Sequence, residues 1–284
     1  IDFKFTNFVL EVRLKKQGRW TMPFIIWIVI GTIIPILSIA YYGFTSSHGG
    51  FTMENIFAIR SPEHSKALIL SLILSAICTL ICLILAFPMA MILRNAKHGK
   101  GGFIIFVFIL PMWMNFLLRT MAWQVLLEKQ GVINGIFEAI GLPRQGLMNT
   151  PAAIVLGMVY DFLPFMILPI YNAVTKIDEH FIEAAYDLGA KPHTIYSKII
   201  IPLAIPGIIS GITMVFIPAL TTFAISNMLG GGKINLIGNI IEQEFIVSSN
   251  WYLGSGLSLI MMTFIIISMV ILQHFDKSEG GNLI

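Results

Sequence analysis

Six apolar stretches, separated by polar segments, organise the chain. They are Trp20–Tyr42, Ala67–Leu93, Phe103–Leu118, Ala152–Tyr171, Leu203–Leu229 and Trp251–Leu272. A helix needs about 20 residues to cross the hydrocarbon core of a bilayer, and all but the third stretch reach that length. The third is short before Arg119, but Thr120–Leu127 can extend it to the interface. Because lipid offers no partner to free backbone groups, the pattern predicts an all-α integral membrane protein with six transmembrane helices.

The distribution of lysine and arginine orients these helices. With the N-terminus in the cytoplasm, twelve basic residues fall in inside segments and five in outside segments, and Arg119 stands near the outer end of the third span. Basic residues concentrate on the cytoplasmic side of membrane proteins, so both termini are predicted to be cytoplasmic. Residues 1–19 then form a cytoplasmic N-terminal segment, 20–42 the first transmembrane helix, and 274–284 a cytoplasmic tail.

Composition supports a membrane protein and excludes several other classes. Hydrophobic residues make up 56% of the 284 residues and charged ones 12%, about half the charged share of a soluble domain. The net charge of +3 is too small and scattered to indicate nucleic-acid binding. Cys78 and Cys82, one helical turn apart, are interpreted as lipid-facing or packing residues. The sequence contains no phosphate-binding glycine loop, catalytic triad or metal-ligand cluster, which predicts a chain that is not an enzyme and binds no cofactor or metal.

Two outer segments, 128–151 and 230–250, are long and contain apolar residues at helical spacing. These residues are Val132, Ile136 and Ile140 in the first segment and Leu236, Ile240 and Ile241 in the second. Such segments either lie flat on the outer surface, where they could meet a soluble partner, or simply cap the bundle. The sequence leaves both interpretations open.

The inside segment 172–202 is long for a passive connection and contains the signals of two short helices. Asp178 can cap a helix that starts at Glu179, and Gly189 can end it in the left-handed conformation. Pro192 suits the first position of a second short helix. An acidic stripe at four-residue spacing is formed by Glu179, Glu183 and Asp187. A cytoplasmic hairpin with this surface is suited to dock against a partner.

The same segment contains a motif with fixed residues at long spacing. It reads Glu183-Ala184-Ala185, three further residues, Gly189, nine further residues, and then Ile199, Ile201 and Pro202. This resembles the EAA motif of type I ABC-importer permeases, E-A-A-x3-G-x9-I-x-L-P, with Ile201 in place of Leu. The resemblance implies the type I importer (MetI-like) permease fold over residues 66–273, with five helices and 172–202 as the cytoplasmic coupling loop.

By this resemblance the coupling loop contacts a separate ATPase subunit, which binds the ATP and Mg and hydrolyses the nucleotide. Closure of two such subunits would rock the attached helices between outward-facing and inward-facing states. The implied coupling residues are Glu179, Glu183, Ala184, Ala185, Asp187, Gly189 and Pro202. Alanine permits close approach, Gly189 sets the turn, and Glu183 offers a carboxylate to a basic residue.

Further runs resemble one branch of the family, the first of the two permeases in spermidine/putrescine importers. They are Pro111-Met112-Trp113-Met114-Asn115 with Arg119, Leu163-Pro164-Phe165-Met166, Met228-Leu229-Gly230-Gly231 and Leu236-Ile237-Gly238-Asn239. The resemblance implies a multi-pass protein of the bacterial inner membrane. Its implied partners, besides the lipid bilayer, are a second homologous permease, two ATPase subunits and an extracellular or periplasmic polyamine-binding protein, with no role for nucleic acid.

Candidates for the substrate pathway centre on Asp161, the one acidic residue inside a span. A carboxylate at the bilayer centre costs about 2.5–3.5 kcal/mol on insertion scales, so it should face the bundle interior or water. Asp161 either attracts the amines of a passing polycation or pairs with Arg119 and only holds helices together. The other candidates are Trp113, Arg119, Tyr160, Phe162, Phe165, Phe223, Ser226 and Asn227. The aromatic ones could add cation–π contacts, whereas Ser226 and Asn227 either bond substrate amines or cap a helix.

Gly207 and Gly211 form a G-x-x-x-G pattern on the fifth span. Small residues at this spacing let helix backbones approach closely, so the pattern predicts close packing. The contact could lie at the interface with a second permease.

Both the cargo and the energy source have alternatives. Another small solute, such as an amine-like metabolite, an oxyanion or a metal complex, would suit the same permease. An ion-coupled secondary transporter would need no ATPase contact and would more often show repeated halves and broken helices at the midplane. A purely structural membrane scaffold is the third possibility.

Overall fold

The computed structural model describes residues 18–47, 49–95, 107 and 110–280. Within these ranges the backbone is almost entirely helical, and the only strand-like pairing is an isolated antiparallel bridge between Thr45 and Phe51. The predicted all-α class is confirmed.

Five helices in the described ranges are long and apolar enough to cross a membrane. They are Met22–Gly43, Pro62–Asn95, Pro151–Val174, Pro192–Thr221 and Trp251–His274. The first part of the third predicted span Phe103–Leu118, residues 103–106 and 108–109, lies outside the described residues, as do most of the N-terminal segment 1–19 and the end of the tail. The count of six spans and the cytoplasmic position of both termini therefore stay predictions.

We number the helices in chain order from the first described one. They are α1 Gly18–Ile28, α2 Ile34–Gly43, α3 Glu54–Phe57, α4 Pro62–Asn95, α5 Phe116–Leu127, α6 Val132–Ala139, α7 Pro151–Val174, α8 Glu179–Asp187, α9 Pro192–Ile195, α10 Ile201–Thr221, α11 Ala224–Leu229, α12 Ile237–Ile246 and α13 Trp251–Gly280. Two π-helical turns, Val29–Ile33 and Tyr196–Ile200, join α1 to α2 and α9 to α10. Short 3-10 turns lie at Ala58–Arg60 and Leu110–Trp113.

Helices α4, α7 and α10 pack together and form the centre of the bundle. Cys78 and Cys82 of α4 are fully buried there, with the Cys82 Sγ 3.9 Å from the Val159 carbonyl oxygen of α7. Both cysteines are thus packing residues and do not face lipid. Helix α2 packs separately against α13, where the missing side chain of Gly43 leaves room for Leu259.

Two helix boundaries differ from those expected. Helix α4 starts at Pro62, because Ser61 Oγ accepts the His64 amide at 3.3 Å and a proline fits the first helical position. Helix α13 continues to Gly280, so the predicted tail from residue 274 begins as helix. Polar residues there extend the helix beyond its apolar part.

The fifth apolar stretch, Leu203–Leu229, is not one continuous helix. Helix α10 stops at Thr221, Thr222 is extended, and the short helix α11 follows. The N-terminus of α12 packs against this break: a Cβ on Gly238 would lie 2.8 Å from the Thr221 carbonyl oxygen. A glycine at this position is therefore required for the approach.

The two outer segments behave differently. In the second segment, Leu236 and Ile240 are buried, so α12 caps the bundle. In the first, Val132, Ile136 and Ile140 of the α6 region are all more than half exposed. Leu236 and Ile240 are therefore covered by the bundle, whereas the three apolar positions of the first segment lie on the surface.

Candidate coupling surface and translocation residues

Helix α8 is bounded by the two residues that the sequence indicates. The Asp178 carboxylate accepts the His180 amide at 3.0 Å and caps the N-terminus. Gly189 has φ +79°, and the Ala190 amide donates to the Ala185 carbonyl at 3.0 Å to close the C-terminus. A glycine adopts this left-handed conformation without the steric cost that a side chain brings.

The second helix of the hairpin is not a separate short element, as the sequence led us to expect. It begins at Pro192 and continues through a π-helical turn into α10, so that Pro192–Thr221 is one continuous helix. Three prolines lie within this helix without interrupting it: Pro202, Pro206 and Pro218. The hairpin is therefore continuous with a helix that is long and apolar enough to span the membrane.

The hairpin presents a mixed acidic and apolar surface. Of the predicted coupling residues, Glu179, Glu183, Ala184, Asp187 and Gly189 are exposed, while Ala185 and Pro202 are half-buried. Leu188 and Phe181 are 89% and 62% exposed, which is unusual for large apolar side chains outside the membrane. An exposed apolar group rimmed by acids indicates a protein contact surface.

Asp161 and Arg119 form a buried ion pair. Arg119 Nη2 lies 3.3 Å from Asp161 Oδ1, and the two side chains are only 7% and 3% exposed. The Thr120 hydroxyl lies 3.5 Å from Asp161 Oδ2. The carboxylate is therefore neutralised by a guanidinium within the chain, which favours the interpretation that Asp161 holds α7 against α5.

The aromatic pathway candidates occupy different environments. Phe162 is buried, whereas Tyr160 is partly exposed and packs edge-to-face on Trp123 with ring centres 5.4 Å apart. Phe165 lines an open groove of about 740 Å³ between α7 and α10 at the end near α8. Trp113 is 76% exposed. The single chain does not gather these rings into one site.

Ser226 and Asn227 belong to a polar network centred on Asn239, a residue that the sequence alone does not indicate as part of a site. The Ser226 hydroxyl donates to Asn239 Oδ1 at 2.5 Å, and Asn239 Nδ2 donates to Asn227 Oδ1 at 2.6 Å. Asn239 Nδ2 also donates to the Phe223 carbonyl at 3.0 Å, at the helix break. The signal in the sequence that could have indicated this network is Asn239 itself, a single asparagine in an apolar stretch at the start of a helix.

The G-x-x-x-G pattern packs within the chain. A Cβ on Gly207 would collide with the Ala173 side chain and lie 2.6 Å from the Pro169 carbonyl oxygen of α7. A Cβ on Gly211 would lie 2.7 Å from Met166 Sδ. The predicted close packing is present, but its partner is α7 of the same chain and not a second permease.

Comparison with known families and sequences identifies relatives over most of the chain. The family model described as binding-protein-dependent transport system inner membrane component matches residues 67–279. The spermidine/putrescine transport system permease protein PotB of Haemophilus influenzae is 34% identical over 241 residues, which are 82% of this chain and 84% of that protein. PotB of Escherichia coli K12 is 33% identical over 89% of this chain and 94% of that protein.

Solved structures share the fold at low sequence identity. A chain of a bacterial ABC transporter involved in the import of the acidic polysaccharide alginate superposes with a TM-score of 0.80 at 15% identity, covering 92% of this chain and 95% of that one. A chain of the MetNI methionine ABC transporter, in an inward-facing conformation, gives a TM-score of 0.57 at 16% identity over 76% of this chain. These matches establish the permease fold.

Proposed function

The chain belongs to the family of binding-protein-dependent transport system inner membrane components, and we propose that it is the permease subunit of an ATP-driven importer of polyamines such as spermidine and putrescine. The polyamine assignment rests on the PotB relatives, whose similarity extends over most of both chains. The alginate and methionine transporters share the fold alone and do not bear on the cargo.

The exposed hairpin is the observation that carries the coupling role. Glu183 and Leu188 stand free of the bundle on a helix whose ends are fixed by Asp178 and Gly189. The continuous helix Pro192–Thr221 connects this surface to the membrane-spanning bundle. An ATPase subunit that binds the hairpin can therefore move the membrane-spanning helices when it changes conformation. ATP and Mg would be bound by that subunit and not by this chain.

The proposed assembly contains this chain, a second homologous permease, two ATPase subunits and a polyamine-binding protein outside the membrane. The two permeases would enclose the translocation path between them. Such an arrangement agrees with the scattered aromatic candidates, because one chain would supply only part of the wall. The binding protein would deliver the cargo at the end of the bundle opposite α8.

A less similar relative has a name that states no cargo. The permease YdcU of Escherichia coli K12 is 28% identical over 89% of this chain, and its name specifies an inner membrane ABC transporter without a cargo. An ion-coupled secondary transporter is disfavoured by membership of a binding-protein-dependent family.

Uptake by the reconstituted complex tests the proposal. Proteoliposomes containing both permeases and the ATPase subunits should accumulate labelled spermidine or putrescine when the loaded binding protein and ATP are supplied. Replacing the phosphate-loop lysine of the ATPase should abolish uptake. Uptake that persists in this variant would contradict ATP coupling, and ATPase stimulation by a different loaded solute but not by polyamines would contradict the cargo.

A further inference from the structure

A cavity of about 490 Å³ lies beside the helix break, at the end of the bundle opposite the coupling hairpin. The cavity and the hairpin lie at opposite ends of α10, whose 21 residues span about 30 Å. The walls come from the end of α10, from α12 and from α13. The volume falls in the range of about 300–1,000 Å³ typical of small-molecule sites.

Glu242 carries the only charge among the described residues that line this cavity. Its Oε2 accepts a hydrogen bond from Asn227 Nδ2 at 2.8 Å. Within the described part of the chain, no lysine, arginine or histidine lies within ion-pair distance of it. The carboxylate is thus held in position by a neutral amide while its charge stays uncompensated.

The position of Glu242 is fixed by the Asn239 network. Asn227 receives the Asn239 amide on its Oδ1 and donates its own amide to Glu242. Both asparagines therefore fix the orientation of the carboxylate that lines the cavity. Asp161 differs in this respect, since the guanidinium of Arg119 neutralises it.

The remaining wall suits an alkyl chain that carries positive charge. Phe223 and Phe245 present aromatic rings to the cavity, and Met261, Met262 and Ile265 present flexible or branched apolar surface. Aromatic faces attract ammonium groups, and methylene groups gain free energy on leaving water for apolar surface. A carboxylate at one point of a cleft that is otherwise lined mainly by apolar side chains, with the hydroxyl residues Thr221 and Ser258, matches an ammonium group followed by methylene groups.

We propose that Glu242 and this cavity form a subsite that binds one ammonium group and the adjoining methylene groups of a polyamine as it enters the permease. The proposal rests on the polyamine function proposed above and gives it a location. Glu242 binds the ammonium group, Phe223 and Phe245 flank it, and the α13 wall contacts the methylene groups. Asn227 and Asn239 act as positioning residues for the carboxylate.

The first test compares two carboxylate-to-amide changes on α12. Glu242→Gln should lower polyamine uptake by the complex at subsaturating loaded binding protein by about tenfold or more, since a charge-assisted hydrogen bond is lost. Glu244→Gln, on the same helix but outside the cavity lining, should leave uptake unchanged. Glu242→Asp should restore part of the loss. Equal uptake by the Glu242→Gln and Glu244→Gln complexes would overturn the subsite.

A second test keeps Glu242 in place and does not depend on the assembly of a Glu242 variant. Cys78 and Cys82 are fully buried, so a Met262→Cys change introduces one accessible thiol in the cavity wall. Millimolar spermidine should slow its modification by a maleimide severalfold, whereas sodium chloride of equal ionic strength and a linear diol should not. No difference between spermidine and the salt control would overturn the subsite.

The two failures are distinguishable. A wild-type complex that assembles and hydrolyses ATP but does not import polyamines would remove the proposed function and the subsite with it. A wild-type complex that imports polyamines, with a Glu242→Gln variant that matches it, would remove the subsite alone.

Discussion

Arg94 Nη2 donates a hydrogen bond to the carbonyl oxygen of Ile177 at 3.0 Å. Arg94 lies in the last turn of the long helix α4, and Ile177 is a buried residue directly before Asp178, the N-cap of α8. The bond therefore ties the entrance of the hairpin to a second membrane-spanning helix, in addition to the covalent connection to α7. Helix α8 is thus connected to α4 by this bond and to α7 and α10 through the chain itself.

The first prediction concerns this tether. Arg94→Ala should lower polyamine uptake per ATP hydrolysed severalfold, because a hydrogen bond from a charged donor, worth about 1.5–3 kcal/mol, no longer holds the hairpin to α4. Uptake and phosphate release are measured in the same proteoliposomes. The matched control is Arg144→Ala, since Arg144 pairs with Glu138 on an exposed surface. Equal uptake per ATP in the two variants would show that the tether does not transmit motion.

The second prediction concerns the apolar part of the hairpin. Leu188→Ser should weaken binding of the ATPase subunit by about tenfold, because Leu188 is 89% exposed in the isolated chain and needs a partner to be buried. The melting temperature of the permease alone should not change. Leu142→Ser, an exposed leucine in the first outer segment, is the control. Binding is measured by titration of purified ATPase subunit onto permease in nanodiscs, and unchanged binding would contradict the docking role.

Much of the architecture could be predicted because its determinants are local. The bilayer sets the length of apolar runs, so the spans Pro151–Val174 and Trp251–His274 lie within a few residues of the predicted stretches. The ends of α8 were equally predictable. Asp178 and Gly189 act through short-range hydrogen bonding and backbone sterics, which the sequence displays directly.

The errors arise where distant segments meet. The apolar run through Thr222 gives no sign of a break, because the break depends on the approach of Gly238 from another segment. Similar apolar spacing in α6 and α12 leads to exposure in one and burial in the other, since only α12 finds a surface of the bundle to cover. Periodicity describes a helix face but not what that face meets.

The candidate site shows the same limit. The sequence singled out Asp161 as the acid of the pathway, and it could not decide between a free carboxylate and one paired with Arg119. The sequence does not distinguish Glu242 from other acids, because its surroundings are assembled from Asn227 and from α13. Which acid is neutralised depends on tertiary contacts.

The third prediction concerns the buried ion pair. Asp161→Asn should destabilise the permease by about 3–5 kcal/mol, because it leaves the Arg119 guanidinium buried without a counter-charge. The change is measured as a lower melting temperature in detergent. Replacing both Asp161 and Arg119 by leucine should recover most of the lost stability and preserve polyamine uptake. A double variant that assembles normally but no longer imports would contradict the structural role and place Asp161 in the substrate path.

The fourth prediction concerns the contact between α7 and α10. Gly207→Ala should lower the free energy of unfolding by about 1–3 kcal/mol. The new methyl group would collide with the Ala173 side chain and lie 2.6 Å from the Pro169 carbonyl oxygen. Backbone atoms cannot rotate away as a flexible side chain can, so the two helices must separate. Gly31→Ala is the matched control, since no atom of the chain lies within 4 Å of its added Cβ. Thermal unfolding of both variants in the same detergent provides the comparison. A Gly207→Ala variant as stable as the Gly31→Ala variant would show that α10 can move away from α7 at little cost, in which case this contact could not hold the two helices as one unit when the coupling hairpin moves.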